Sequence, residues 1–324
     1  MTKIKKIICV IDYNQSKKRL DQALTDLIID LSRTQIKLLI VKGKIKKSNI
    51  ALTDPSYKVK KGEKFTVLIN EKEEELEYLP QNLPLNIVYE DKDIIVLNKD
   101  VGVVVHPSPG NQNNTLVNAL LYHTKNNLSK INETNRPGIV HRLDKYTSGL
   151  LVVAKNNFSH QKLADQFKNH SVQRKYFALA WGVPKKFIIK GYLGRHKIYR
   201  KKMAMVTEKQ GRYSETKIKI KSHYEVCSLI ECELKTGRTH QVRVHLSSIG
   251  NPLVGDKVYG RKKIKFNKKC KNNQHKLLIL RNFERQALHA RMLGFKHPRS
   301  NKYMEFNSKL PQDFSILLDN ISKY

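Results

Sequence analysis

The sequence predicts an α+β protein, a mixed and largely antiparallel sheet with flanking helices, preceded by a small basic module. Three observations carry this reading. Apolar runs of strand length and amphipathic helical stretches follow one another without strict alternation, which argues against a doubly wound parallel sheet. An acidic and proline-bearing segment, with Glu71 to Glu77 followed by Pro80 and Pro84, divides the chain into two parts of different texture. The chain has 324 residues, 40% of them hydrophobic, which is enough for two cores and excludes wholesale disorder.

Charge narrows the partners. The 62 Lys+Arg against 28 Asp+Glu leave a formal net charge of +34. Such an excess points to a polyanion, and nucleic acid leads because each neutralised phosphate releases counterions. A lysine-rich genome would also give a basic surface, so charge alone does not decide it. The longest apolar runs, residues 7–11 and 150–154, fall far short of the roughly 18 needed to cross a bilayer. Lys3, Lys5 and Lys6 precede the first run, but it is too short for a secretion signal. A cytoplasmic protein without membrane contact is expected. Cys9, Cys227, Cys232 and Cys270 are scattered and form no CxxC, so packing is expected of them rather than disulfides or metal.

Along the chain, residues 1–17 read as a polar arm with one short apolar segment. Leu20, Leu24, Leu27, Ile28 and Leu31 then recur on one helical face. Ser32 and Gln35 have capping-box spacing, Ile36, Leu39 and Ile40 form a second inward face, and Gly43 is a natural helix terminator. Residues 44–47 and 58–67 look like short basic strands. The module, residues 18–70, carries Arg33, Lys37, Lys42, Lys44, Lys46 and Lys47 on its polar side. Residues 71–84 read as a linker.

The remainder, residues 85–324, is mixed in texture. Strand-like runs occupy 87–89 and 94–97, and a Pro/Gly loop follows at 106–110. Residues 115–123 read as a helix, and Asn156 and Asn157 stand where caps are needed before Leu163, Ala164 and Phe167. Strands are expected at 176–181 and 226–234, and a helix over 239–249 closed by Gly250. Residues 257–276, with Arg261, Lys262, Lys263, Lys265, Lys268, Lys269 and Lys271, read as a basic loop, for which RNA grip and plain solvation fit equally.

The most informative segment is the polar loop between the apolar pieces Ile139-Val140 and Leu150-Leu151-Val152. Asp144 is its single carboxylate and stands between Arg142 and Lys145, cations that favour its ionised form. A rigidly anchored polar loop is where reactive groups tend to sit. The alternative is a local turn, with His141 and Ser148 as hydrogen-bonding partners.

Two resemblances bear on this. Arg19-Leu20-Asp21, Leu31-Ser32-Arg33-Thr34-Gln35, Lys42-Gly43-Lys44-Ile45 and Lys61-Gly62-Glu63 resemble the S4-type (αL) RNA-binding fold. His141-Arg142-Leu143-Asp144 with Thr147-Ser148-Gly149-Leu150 resembles the signature of the RluA-type pseudouridine synthases, with the RluD subgroup nearest. The similarity continues through Arg136-Pro137-Gly138, Thr236-Gly237-Arg238-Thr239-His240-Gln241-Val242-Arg243, Leu253-Val254-Gly255-Asp256 and Gln286-Ala287-Leu288-His289-Ala290. With Leu85-Asn86-Ile87-Val88-Tyr89-Glu90-Asp91, Val104-Val105-His106-Pro107 and Thr115-Leu116-Val117-Asn118-Ala119-Leu120-Leu121 ahead of them, these blocks cover the chain in order from about residue 85 to 313. Two positions depart from the pattern, Tyr146 where an acid is usual and Asp100 where proline is usual.

The resemblance implies a pseudouridine synthase fold and an RNA isomerase that acts on a flipped-out uridine, most fittingly in large-subunit ribosomal RNA. Breaking the glycosidic bond builds positive charge on the sugar, which a carboxylate stabilises; the resemblance makes this Asp144. It also makes Arg243 the cation that pairs with the aspartate and Tyr176 the phenol that stacks on uracil. Arg142 is implied to fill the space left by the extruded base. His141 beside it and Arg238 are counted with the RNA contacts, as are Arg33, Lys37, Lys42 and Lys44 of the module. No cofactor and no metal are expected, and the chain is expected to act as a monomer on RNA. A transfer-RNA synthase and a non-catalytic RNA-binding assembly protein remain the alternatives.

Overall fold

The computed structural model describes residues 4–28, 31, 33–70, 79–107, 111–129, 136–200, 202–260 and 274–323. The chain divides into two compact units, Met1–Glu77 and Tyr78–Tyr324.

In the first unit, β1 (Ile4–Val10) is followed by α1 (Leu20–Leu27), α2 (Arg33–Val41), β2 (Ile45–Lys47), β3 (Ile50–Ala51) and β4 (Lys64–Asn70). The sheet order is β1-β4-β2-β3. Leu20, Leu24, Ile36 and Ile40 pack with Ile45, Phe65 and Val67 in one core, as the two helical faces predict. Gly43 ends α2 at φ 67°, with its amide on Ile40 O and the Lys44 amide on Leu39 O. That pair of bonds closes the helix as a Schellman motif. Ser32, the expected cap, lies outside the described residues.

The polar arm expected over 1–17 is corrected. Ile4–Val10 pairs antiparallel with β4, from Ile4↔Asn70 to Val10↔Lys64. Cys9 and Ile11 turn inward while Ile8 and Val10 stay exposed. Five consecutive apolar residues hid the period-2 pattern of a half-buried strand. The strand expected from residue 58 begins only at Lys64.

The second unit contains β5 (Ile87–Glu90), β6 (Ile94–Lys99), α3 (Leu116–His123), β7 (Ser148–Ala154), α4 (Asn157–Lys168), β8 (Gln173–Trp181), β9 (Ile188–Arg195), β10 (Met203–Val206), β11 (Arg212–Tyr224), β12 (Cys227–Leu234), α5 (Gln241–Ser248), α6 (Gln274–Asn282), β13 (Leu288–Lys296), β14 (Tyr303–Asn307) and α7 (Gln312–Ser322). One sheet runs β10-β9-β11-β12-β8-β13-β7-β6-β5, with β14 on β13. Among the described strands only β7 and β13 pair in parallel, so the mixed, largely antiparallel sheet is as the sequence predicts.

Both faces of β7 are covered. Leu151 and Val153 join the core with Leu120 of α3 and Leu246 of α5, while Leu150, Val152 and Ala154 pack with Leu163 of α4 and Phe295. Burial on two sides explains an uninterrupted apolar run. Thr115 and Asn118 form the capping box of α3, and Asn156 Oδ1 caps α4 by accepting the Ser159 amide at 3.0 Å. Cys9, Cys227 and Cys232 are buried and free; Cys270 lies outside the described residues. No helix among the described residues is long and apolar enough to cross a membrane. Most of the expected basic loop, residues 261–273, lies outside the description, and α6 takes its last positions.

Candidate active site

Asp144 lies on the loop that enters β7, the strand between β13 and β6 in the sheet. The loop is tied down along its length. Leu143 is a buried apolar anchor. Asp144 O accepts the Thr147 amide at 3.0 Å, closing a turn. Lys99, at the end of β6 and 2% exposed, donates from Nζ to Asp100 O, Val103 O and Lys145 O at 2.7, 2.9 and 3.2 Å. Three carbonyls match the three donors of an ammonium. Burial nevertheless pushes its pKa down to about 7, against the pull of Asp100 and Asp144. Arg285 Nη1 donates to Tyr146 O at 3.3 Å, and Gln286 Nε2 to Thr147 Oγ1 at 3.2 Å. The Asp144 carboxylate therefore stands on a fixed base with 19% of its side chain exposed.

The cation opposite comes from α5. Arg243 is 5% exposed and donates from Nη1 to Asp144 Oδ2 at 2.9 Å. Its Nε and Nη2 donate to both oxygens of buried Asp256 at 2.8 and 2.9 Å. Burial opposes the charge on Arg243, but Asp256 and Asp144 more than offset it and raise its pKa. Burial likewise pushes Asp256 up, and Arg243 with the amides of Tyr259 and Val258 brings it below the ordinary carboxylate range. A fork-on-fork pair of this kind fixes direction as well as charge.

Gln241 positions the helix start. Its Oε1 accepts from the Arg238 amide and Thr236 Oγ1 at 3.0 and 2.7 Å, and its Nε2 donates to Glu215 O and Thr216 Oγ1 at 3.0 and 2.9 Å. His240 is in the left-handed region at φ 56°, strained backbone for a non-glycine residue. This brings its Nε2 to 3.6 Å from Asp144 Oδ1 and its Nδ1 to 2.8 Å from the Tyr259 hydroxyl. That hydroxyl also accepts the Met203 amide at 2.8 Å, and the Arg243 guanidinium lies 5.0 Å from the Tyr259 ring centre.

Tyr176, 8% exposed on β8, has its pKa pushed up to about 12, first by burial, with Asp144 adding to the rise. The phenol is therefore held neutral, suited to stacking and hydrogen bonding rather than to acting as a phenolate. Arg142 is exposed, its Nη1 3.4 Å from Nε2 of buried His106. Arg238 is half-buried and donates from Nε to Tyr213 O at 3.0 Å. Tyr146 is 48% exposed with Lys145 Nζ 5.6 Å from its ring centre.

His141 departs from expectation. Its Nε2 accepts the Val152 amide at 3.1 Å and its ring stacks on Phe167 at 4.5 Å. Burial, with Arg174 nearby, pushes its pKa down to about 3. It is a neutral bolt between loop and strand rather than a phosphate contact. In the first unit, Lys37 and Lys42 are exposed and Lys44 is half-buried, whereas Arg33 donates to Asp21 at 3.0 Å. Sequence reasoning brought together Asp144 and Arg243 and missed Asp256, His240, Tyr259 and Lys99. The lone acid in the apolar Leu253-Val254-Gly255-Asp256 run was the available signal.

Among the described residues Asp91, Asp93 and His297 have spacing that would suit a metal ion. Their ligand atoms are already used. Arg299 holds both oxygens of Asp93 at 2.7 Å, and His297 Nε2 sits 2.8 Å from Asp91 Oδ2.

Comparison with known proteins sets the class. A family model described as RNA pseudouridylate synthase matches residues 93–248, which include Asp144, Tyr176 and Arg243. Ribosomal large subunit pseudouridine synthase D of Zymomonas mobilis is 48% identical over 311 residues, covering 92% of each chain. An RNA pseudouridine synthase of Bacillus subtilis, YlyB, described as uncharacterized, is 41% identical over 312 residues, covering 95% of this chain and 96% of its own. The structure of Human RNA Pseudouridylate Synthase Domain Containing 1 aligns with a TM-score of 0.52 at 26% identity, covering 71% of this chain and 85% of that one. The fold is that of an RNA-modifying isomerase. The chain belongs to the RNA pseudouridylate synthase family.

Proposed function

We propose that this pseudouridine synthase acts in the cytoplasm on uridines of large-subunit ribosomal RNA, with Asp144 as the catalytic carboxylate. The observation that carries the reading is the 2.9 Å bond from buried Arg243 to a partly exposed Asp144. In the reaction the N1–C1′ bond breaks, uracil turns, C5 joins C1′, and the C5 proton departs. An ionised oxygen held in place by a guanidinium meets the positive charge that develops on the ribose without reorganising. The neutral Tyr176 phenol offers a flat apolar face to the extruded base. Arg142 and Arg238, both reaching the surface beside this site, serve the RNA strand. The first unit acts as an S4-like grip through Lys37, Lys42 and Lys44, with Arg33 braced on Asp21. The ribosomal target is supported by the similarity to the Zymomonas mobilis ribosomal large subunit pseudouridine synthase D.

The test replaces Asp144 by Asn. In a strain lacking the gene, complementation with the wild type restores carbodiimide-detected pseudouridine stops on large-subunit ribosomal RNA. Complementation with Asp144→Asn gives none, although the variant still binds the RNA. Normal modification by the variant overturns the assignment of Asp144; stops confined to transfer RNA overturn the ribosomal target.

A further inference from the structure

Arg174 lies on the same strand as Tyr176, two residues earlier and on the same face, at about 7 Å by the strand rise. It is 6% exposed, comparable to Arg243. The two buried arginines differ in one respect. Arg243 is met by two carboxylates, whereas Nε and Nη2 of Arg174 are buried with no hydrogen-bond partner, and no acid pairs with it among the described residues.

Its surroundings hold it in place without neutralising it. The Phe167 ring lies 5.4 Å from Cζ. Gly237 covers the end of the guanidinium, and a Cβ at that position would come within 2.3 Å of Nη1. Burial depresses the Arg174 pKa, Tyr176 pulls the other way and Arg238 adds to the fall; burial, then the two arginines, depresses that of His170. Arg212 in turn presses on Arg238. A buried guanidinium with unspent donors and a second guanidinium beside it is an anion receptor without its anion.

We propose that Arg174 and Arg238 form a phosphate subsite that takes the RNA backbone beside the flipped uridine, with Gly237 as its entrance. A phosphodiester offers the planar pair of oxygens that a guanidinium fork meets bidentately. Gly237 is exposed and abuts Nη1, so the phosphate approaches the guanidinium from that side. The placement rests on the reading that Tyr176 lines the uridine pocket; the anion receptor itself does not.

The test uses the full chain and an unmodified large-subunit ribosomal RNA transcript. Binding is measured against KCl concentration, and conversion is measured in single turnover at saturating protein. Arg174→Met is expected to weaken binding roughly tenfold near physiological salt and to lower the log–log salt slope by about one, with the saturating rate little changed. Arg174→Lys keeps the slope but recovers only part of the affinity, because an ammonium lacks the fork. Gly237→Ala leaves every charge in place and blocks the entrance, so it serves if Arg174→Met does not fold, and it too lowers the slope. Unchanged affinity and slope in Gly237→Ala and in any folded Arg174 variant overturn the proposal, as does a fall in saturating rate with binding intact, which would mark Arg174 as a support for Tyr176. If the wild type makes no pseudouridine, the proposed function fails while the slope comparison still stands.

Discussion

Asp256 takes both Nε and Nη2 of Arg243, at 2.8 and 2.9 Å, and so leaves Nη1 as the donor that reaches Asp144. The buried acid behind the arginine sets the direction of the cation in front of it. A carboxylate 0% exposed, with no route to substrate, thereby controls the one that is open.

Replacing Asp256 by Asn removes the charge and half of that clamp. Arg243 is then free to swing, and displacements of about 1 Å at a reacting group are worth on the order of a hundredfold in rate. The saturating single-turnover rate is expected to fall by about that factor, with RNA affinity within about twofold. The stability loss is expected to be a few kcal/mol, as for breaking a buried ion pair. A normal rate in a folded variant would show that Asp144 alone sets the direction of Arg243.

Gly149 is held at φ 117°, and a Cβ there would lie 2.3 Å from the Ala290 carbonyl oxygen. Two backbones meet with no room between them, directly after the Asp144 loop. Gly149→Ala combines left-handed strain with overpacking, roughly 2–5 kcal/mol. Trp181 is the single tryptophan, 7% exposed in the second unit, so its fluorescence reports the urea midpoint of that unit. A midpoint equal to wild type would mean the strands separate at no cost.

His245 is fully buried between the hydroxyls of Ser214 and Thr216, each at 2.9 Å, and burial lowers its pKa to about 4. A histidine depressed in the folded state binds fewer protons there than in the unfolded chain. Its stabilising share is present above the unfolded pKa of about 6.5 and is lost as pH falls toward about 4, amounting to roughly 3 kcal/mol. His245→Gln abolishes that share. The gap in unfolding free energy between wild type and variant is expected to shrink from pH 7 to pH 5, measured by Trp181 fluorescence in urea. A constant gap would show that the histidine does not titrate on unfolding.

The legible parts of the fold were those in which local chemistry and packing agree. Asn156 caps where its side chain alone predicts, and Gly43 ends its helix because only glycine takes that turn cheaply. The strand at Ile4–Val10 escaped because a run of five apolar residues has no visible face. The β11 stretch Lys217-Ile218-Lys219-Ile220 carried a clear alternation that the sequence reading left unused.

The site was legible as residue types and not as contacts. Asp144 and Arg243 are 99 positions apart, and their pairing was read through resemblance to a family. Polarity brought His141 into the same loop, but nothing local tells which polar side chain turns inward. The Val152 amide that holds it belongs to the next strand. Asp256, His240 and Tyr259 acquire meaning only once α5 is packed against the loop that follows it, a tertiary fact with no periodic signature.

The parallel joint between β7 and β13 places Ser148 beside His289. The two residues are 141 positions apart, so this seam closes only after every intervening element has found its place. Closing so wide a span costs entropy before the joint repays it, which makes the seam a slow, long-range step in the assembly of the second unit.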